Sequence, residues 1–106
     1  MAKVFKEPGN TLDVPAPADV KSGDGVMVGK LFGVAQFSAK ANEMVTIDRE
    51  GVWALPKTEA QAWAVGDVVY WTGTEVTTTA SGNTKIGYAA AVAINPTKLG
   101  DVVLSQ

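Results

Sequence analysis

Short apolar runs, each ended by a glycine-led or polar turn, recur along the whole chain. The clearest is Val68-Val69-Tyr70-Trp71, which leaves a Gly66-Asp67 turn and stops at Thr72-Gly73-Thr74. β-Branched and aromatic residues bounded by turn signals predict a buried strand there. Thr11-Leu12-Asp13-Val14 alternates and predicts a first strand. Pro15-Ala16-Pro17-Ala18 then forbids helix, offers no N–H at its two prolines, and reads as a stiff extended connector. After a turn over Val20–Gly25, the runs Gly25–Gly29 and Leu31–Ala35 predict two strands separated by Gly29-Lys30. Gly29 and Gly33 inside this apolar stretch mark a bulge, a sharp coil of the sheet or a close backbone approach. Phe37–Asn42 is a polar break. Glu43–Asp48 alternates as a half-exposed strand, and Arg49-Glu50-Gly51 turns it towards Val52-Trp53-Ala54-Leu55, its expected hairpin partner.

Pro56–Trp63 carries the one helical signal: Ala and Gln favour helix, Thr58 is a capping residue, and Gly66 ends the segment. Leu55 and Trp63 are expected to pack together across it. Glu75–Thr79 is polar and β-branched, suited to an edge or exposed strand, and Ala80–Asn83 is a turn. In Lys85–Ile94 the alanines favour helix, while Gly87 and a Val/Ile/Tyr alternation favour strand; the segment is read as strand, ended by Asn95-Pro96. Asp101–Leu104 closes the chain as a last strand. The count is eight or nine strands of about 5 residues, one helical turn, and no segment long enough for a βαβ crossover. The fold class is therefore all-β: a small single-domain antiparallel β-barrel or β-sandwich with one short helical turn. Residues 1–17 read as an extended N-terminal arm and 18–106 as a single β domain. Val4 and Phe5 are costly to leave in water, which suggests docking of the arm as an edge strand or onto a partner.

Composition narrows the chemistry. With 106 residues, the chain has the size of one domain, and its 11 Gly and 5 Pro favour turns over long helices. A net charge of −2 gives no basic face for nucleic acid. The absence of Cys and His excludes disulfides, thiolate catalysis and zinc sites built on those ligands, and removes the commonest general base. No apolar signal segment or membrane span is present, so a soluble protein made in a cytoplasm, with no membrane partner, is expected. Gly23–Leu31 is the natural place to look for a phosphate loop. Only three residues separate Gly25 from Gly29, Leu31 stands where Ser or Thr would hold Mg²⁺, and no helix follows; tight β-turns account for the glycines. The carboxylates are scattered through turns and polar strand faces, Asp67 is expected to cap its own turn, and no serine has a histidine to activate it. Trp53, Trp63 and Trp71 serve either core packing, the preferred reading, or a ligand groove. Two competing functions thus stand beside a structural role: a small-ligand or glycan-binding module using surface Trp residues, and a hydrolase with a carboxylate pair.

The ordered set of motifs resembles the phage capsid cement, or decoration, proteins, some relatives of which carry a recombinase-like label. The resemblance runs through Gly25-Val26-Met27-Val28-Gly29 with Leu31-Phe32-Gly33-Val34-Ala35, then Glu50-Gly51-Val52-Trp53-Ala54-Leu55-Pro56-Lys57. It continues through Ala64–Trp71, Gly82-Asn83-Thr84-Lys85-Ile86-Gly87-Tyr88-Ala89 and Val102-Val103-Leu104. It implies a structural, non-enzymatic virion protein without cofactors, made in the bacterial host. That protein binds the outside of the assembled head, with itself as a homotrimer and the major capsid protein as partners. The mismatched phosphate loop argues against ATP-driven recombination. Cyclic trimers suit three-fold capsid positions and cover strand edges. The subunit or capsid contacts expected of the arm fall on Val4, Phe5, Leu12, Val14, Pro15 and Pro17.

Overall fold

The apolar runs become strands wherever alternation sets one side against a core and the other towards water. A computed structural model describes residues 10–105. Among these the chain forms β1 (Thr11–Pro15), β2 (Gly25–Val28), β3 (Leu31–Ala35), β4 (Met44–Asp48), β5 (Val52–Pro56), β6 (Val68–Trp71), β7 (Val76–Thr77), β8 (Thr84–Ala89) and β9 (Leu99–Leu104). The strands pair antiparallel in two sheets, ordered β1-β4-β3-β2 and β5-β9-β8-β6-β7. Each sheet is thus drawn from one contiguous half of the chain. The expected all-β antiparallel domain is what forms.

β3 explains how the halves fit. Phe32, Gly33, Val34 and Ala35 are all buried. Phe32 and Val34 join a core with Leu55, Trp63, Val69, Trp71, Val76, Ile86, Val102 and Leu104 of the second half, whereas Ala35 joins Val14, Val26, Val45 and Ile47. One face of β3 therefore serves the space between the sheets, and the other serves a core internal to the first sheet. Edge strands β1 and β2 place Val14 and Val26 in that same internal core, so the first sheet is rolled around it. Gly33 permits the roll: a Cβ there would lie 2.8 Å from the Asp48 carbonyl oxygen and 2.8 Å from Ile47 Cβ. The close approach expected at Gly33 is real, while Gly29 has a separate role. It opens the two-residue loop between Val28 and Leu31 with a φ of 61°, the left-handed backbone that tight hairpin turns require.

Three local expectations are corrected. Val52–Leu55 is not the hairpin partner of Glu43–Asp48. β4 already has β1 on one side and β3 on the other, so no free edge remains, and β5 crosses to the second sheet to pair with β9. The helical turn over Pro56–Trp63 does not form. Lys57 makes a parallel bridge to Val76, and the Gln61 side chain donates to Thr77 Oγ1 (2.9 Å) and accepts from Thr78 N (3.1 Å). Thr58, expected to cap, instead donates its hydroxyl to Glu75. Tertiary partners override the helical propensity of Ala and Gln. Finally, the strand expected over Lys85–Ile94 ends at Ala89. Beyond it Ala90 N donates to Asp101 O (2.8 Å), and Ala93 turns away to exchange two hydrogen bonds with Trp63 (2.8 and 3.1 Å).

The 56–63 segment is held from beneath by Lys57, which is only 3% exposed. Its Nζ donates to the carbonyls of Thr58 (2.8 Å), Glu59 (3.3 Å) and Thr97 (3.4 Å). It also sits 5.8 Å from the Trp63 ring centroid, within range of a cation–π attraction. Trp63 lies against Gly100, where a Cβ would be 2.3 Å from the indole. A buried charge is tolerated here because backbone oxygens and a ring face replace its water.

Two substitutions test this packing. A Cβ at Gly87 would lie 2.0 Å from the Val103 carbonyl oxygen, a backbone atom that cannot step aside. Gly87→Ala should therefore cost at least about 3 kcal/mol, read as a lowered urea midpoint. Lys57→Met keeps the aliphatic bulk but strips three carbonyls of their donor, and should cost about 2–3 kcal/mol by the same measurement.

Candidate functional site

Most of the carboxylates are engaged in local structure. Asp67 Oδ2 accepts from Ala64 N (2.9 Å), the turn cap expected of it, and Asp24 Oδ2 accepts from Lys21 N (2.9 Å). Glu43 Oε1 accepts from Lys40 N (2.8 Å) and Asp19 Oδ1 from Ala41 N (2.9 Å). Asp13 and Asp48 accept from Thr46 and Gln36 side chains (2.5 and 2.9 Å). Asp48 and Glu50, expected to flank a hairpin tip, lie instead at the crossing between sheets, where Glu50 accepts from Asn10 Nδ2 (3.0 Å). Among the described residues, no three of His, Cys, Asp or Glu gather as a metal-binding group. These acids hold turns and strand pairs, the work their positions in the sequence suggested.

The tryptophans pack the core. Trp63 and Trp71 are 2% and 6% exposed, and Leu55 shares their cluster. Trp53 is half-buried against the same core and donates Nε1–H to Glu50 O (3.0 Å). A glycan platform needs exposed indole faces, and these indoles are spent on the interior. The Gly23–Leu31 stretch is a turn and a hairpin, with φ of 91° at Gly23 and 61° at Gly29.

Of the proposed contact residues, Val14 is buried in the core of the first sheet, and Leu12 packs half-buried against it. Pro15 and Pro17 are exposed. Val4 and Phe5 lie outside the described residues.

What the surface does offer is apolar. Trp63 pairs with Ala93, so Ala62 and Ala64 share an outward side with Val92 and Ile94, which are 70% and 67% exposed. A shallow hollow of about 210 Å³ lies beside them, reaching Thr97, Leu99 and Gly100. On the outer face of the second sheet, register lines up Val52, Val103, Tyr88 and Val68 in a row across four strands. A bulge opposite Val69/Tyr70 skips Ile86 and brings Lys85 over Tyr88, with Nζ 3.0 Å from the phenolic oxygen and 4.7 Å from the ring centroid. Sequence reasoning missed these surfaces, because Val92, Ile94 and Val52 look like core residues until pairing shows which way they face.

A larger groove, about 770 Å³, runs beside β2. Trp71 and Met27 line it together with Pro17–Val20 and the turn residues Thr72-Gly73-Thr74. Such a combination of open strand edge, groove and apolar patches suits protein contacts better than small-molecule chemistry.

No curated protein and no solved structure matches this chain. The family model described as phage cement protein matches residues 6–104, which takes in every strand of both sheets. Matched over nearly its whole length, and built as a β scaffold whose acids and tryptophans serve its own structure, the chain belongs to the phage cement protein family.

Proposed function

We propose that this protein binds the outer surface of the assembled phage head as a homotrimer and reinforces it, without catalysing a reaction. The observation that carries this reading is the family match over residues 6–104. The geometry supports it on physical grounds. A reinforcing protein needs a rigid frame and several modest contacts repeated over symmetric sites, so that avidity exceeds any single contact. Exposed Val92, Ile94 and Leu99 border one hollow and, with exposed Val65, supply apolar contact area. Among the described residues, β1 and β2 end the first sheet and β5 one side of the second, and these edges supply backbone groups for an added strand. The major capsid protein and a neighbouring copy of the chain are the partners. The arm of residues 1–17 reaches one of them through Val4, Phe5, Leu12, Pro15 and Pro17, with Val14 anchoring its base in the core.

Two measurements test this. The protein should co-sediment with purified expanded heads and raise the temperature at which they rupture, while light scattering of the free protein gives three times the chain mass. A monomer that ignores heads overturns the reading. Deleting residues 1–10, or introducing Val92→Asp with Ile94→Asp, should leave the circular-dichroism spectrum unchanged. Either change should weaken head binding at least about tenfold, the equivalent of ~1.4 kcal/mol.

A further inference from the structure

The geometry points to the groove beside β2 as the receptor for an extended segment of the major capsid protein that carries Lys or Arg. That segment pairs with β2 as an added strand. The inference rests on the capsid-binding reading above.

β2 ends the order β1-β4-β3-β2, so among the described residues it has a strand neighbour on one side only. The two-residue loop fixes its hydrogen-bond phase. Val28 and Leu31 close that loop as a bonded pair, and alternation makes Val26 and Gly33 the next. The bond from Ala35 N to Asp24 O (2.9 Å) continues the same phase. The amides and carbonyls of Gly25 and Met27 therefore point away from β3, and both residues line the groove. An incoming backbone meets a donor and an acceptor on each residue at strand spacing, the requirement for β-augmentation.

The lining sets what the segment must carry. Met27 packs against the core between the sheets, and Trp71 of that core lines the same groove. Cross-strand partners share a face, so the residue set opposite Met27 is apolar. Among the residues lining the groove the charged ones are Asp19 and Asp24, both exposed acids. Asp24 directly precedes β2, which places negative charge at the Gly25 end of the strand. Each acid spends one oxygen on a backbone amide: Asp24 Oδ2 on Lys21 N and Asp19 Oδ1 on Ala41 N, both at 2.9 Å. Among the described residues the second oxygen of each is left to accept from a Lys or Arg at that end.

The other strand edges of this chain do not supply such a segment. Among the described residues these are β1 and β5, because Lys57 bridges to Val76 of β7. β1 carries Asp13, a like charge, and β5 carries no charge; each ends on a proline, which has no N–H to give. A second copy docking by either edge would bring no cation to Asp19 and Asp24. The capsid is the partner that membership of the cement family implies.

Hydrogen exchange read by mass spectrometry tests the pairing directly. The amides of Gly25 and Met27 should exchange freely in the free protein and at least about tenfold more slowly on purified heads that lack it, while those of Val26 and Val28 change little. Asp19→Asn with Asp24→Asn keeps the amide-accepting oxygens but removes the charge. That pair should weaken head binding at least about fivefold at low salt and flatten its salt dependence. The chain has no native cysteine, so Thr74→Cys in the groove lining can carry a thiol-linked benzophenone. Irradiation on heads should capture a capsid-protein peptide bearing Lys or Arg. Amides already slow in the free protein, binding indifferent to the Asn pair, or capture of this chain or of a peptide without a cation overturns the proposal. If heads bind while both amides stay fast, the groove alone is refuted; if heads do not bind at all, the capsid reading falls with it.

Discussion

Phe32 from the first sheet and Trp71 from the second meet with ring centroids 4.9 Å apart and planes tilted by 51°. Aromatic pairs favour such offset geometry, and this pair fastens two halves that are otherwise built separately. It exists only because Gly25 is bare. A Cβ there would lie 2.7 Å from Trp71 Cη2 and 3.0 Å from Phe32 Cζ. The same β2–β3 hairpin turns its other face inward to the rolled core of the first sheet, through Val26 and Ala35. The rest of the structure depends on that double duty. Loss of the hairpin's packing would separate the two sheets and unroll the first.

A frame of this kind suits a protein whose work is adhesion. Phe32, Trp63 and Trp71 are consumed internally, and its acids largely hold turns, so the surface is left mainly with aliphatic groups and strand edges. Val92, Ile94 and Leu99 are exposed on a segment that Lys57 secures from below through the Thr97 carbonyl. Rigid presentation matters for adhesion, because a contact surface that must be ordered on binding loses affinity to that ordering.

Much of the fold was legible in the sequence. Alternation in Glu43–Asp48, the Gly29-Lys30 loop and the Gly66-Asp67 turn each marked its element, because those signals are local. Pairing was harder. Arg49-Glu50-Gly51 looks like any hairpin turn, and only the occupancy of both β4 edges shows that it is a crossing between sheets. Ala60, Gln61 and Ala62 favour helix in isolation, but Gln61 finds Thr77 and Thr78 at a sequence distance no local rule can see. The same limit hid the contact surfaces: the outward row Val52–Val103–Tyr88–Val68 is assembled from four strands and appears only in register. Family membership was readable in the order of the motifs, each of which alone is an ordinary β-turn pattern.

The clean division of the chain at Gly51 bears on how the protein is made. Residues up to Asp48 leave the ribosome first and contain every strand of the rolled sheet. Yet that half, on its own, leaves Met27, Phe32 and Val34 facing water, since their cover comes from Trp71, Ile86, Val102 and Leu104. The last of these lies in β9, the last strand of the second sheet in chain order. A nascent chain therefore holds a greasy face that only β9 can close, so the two halves mature together once that strand has emerged, and a chain truncated before it is a substrate for proteolysis rather than a partial subunit.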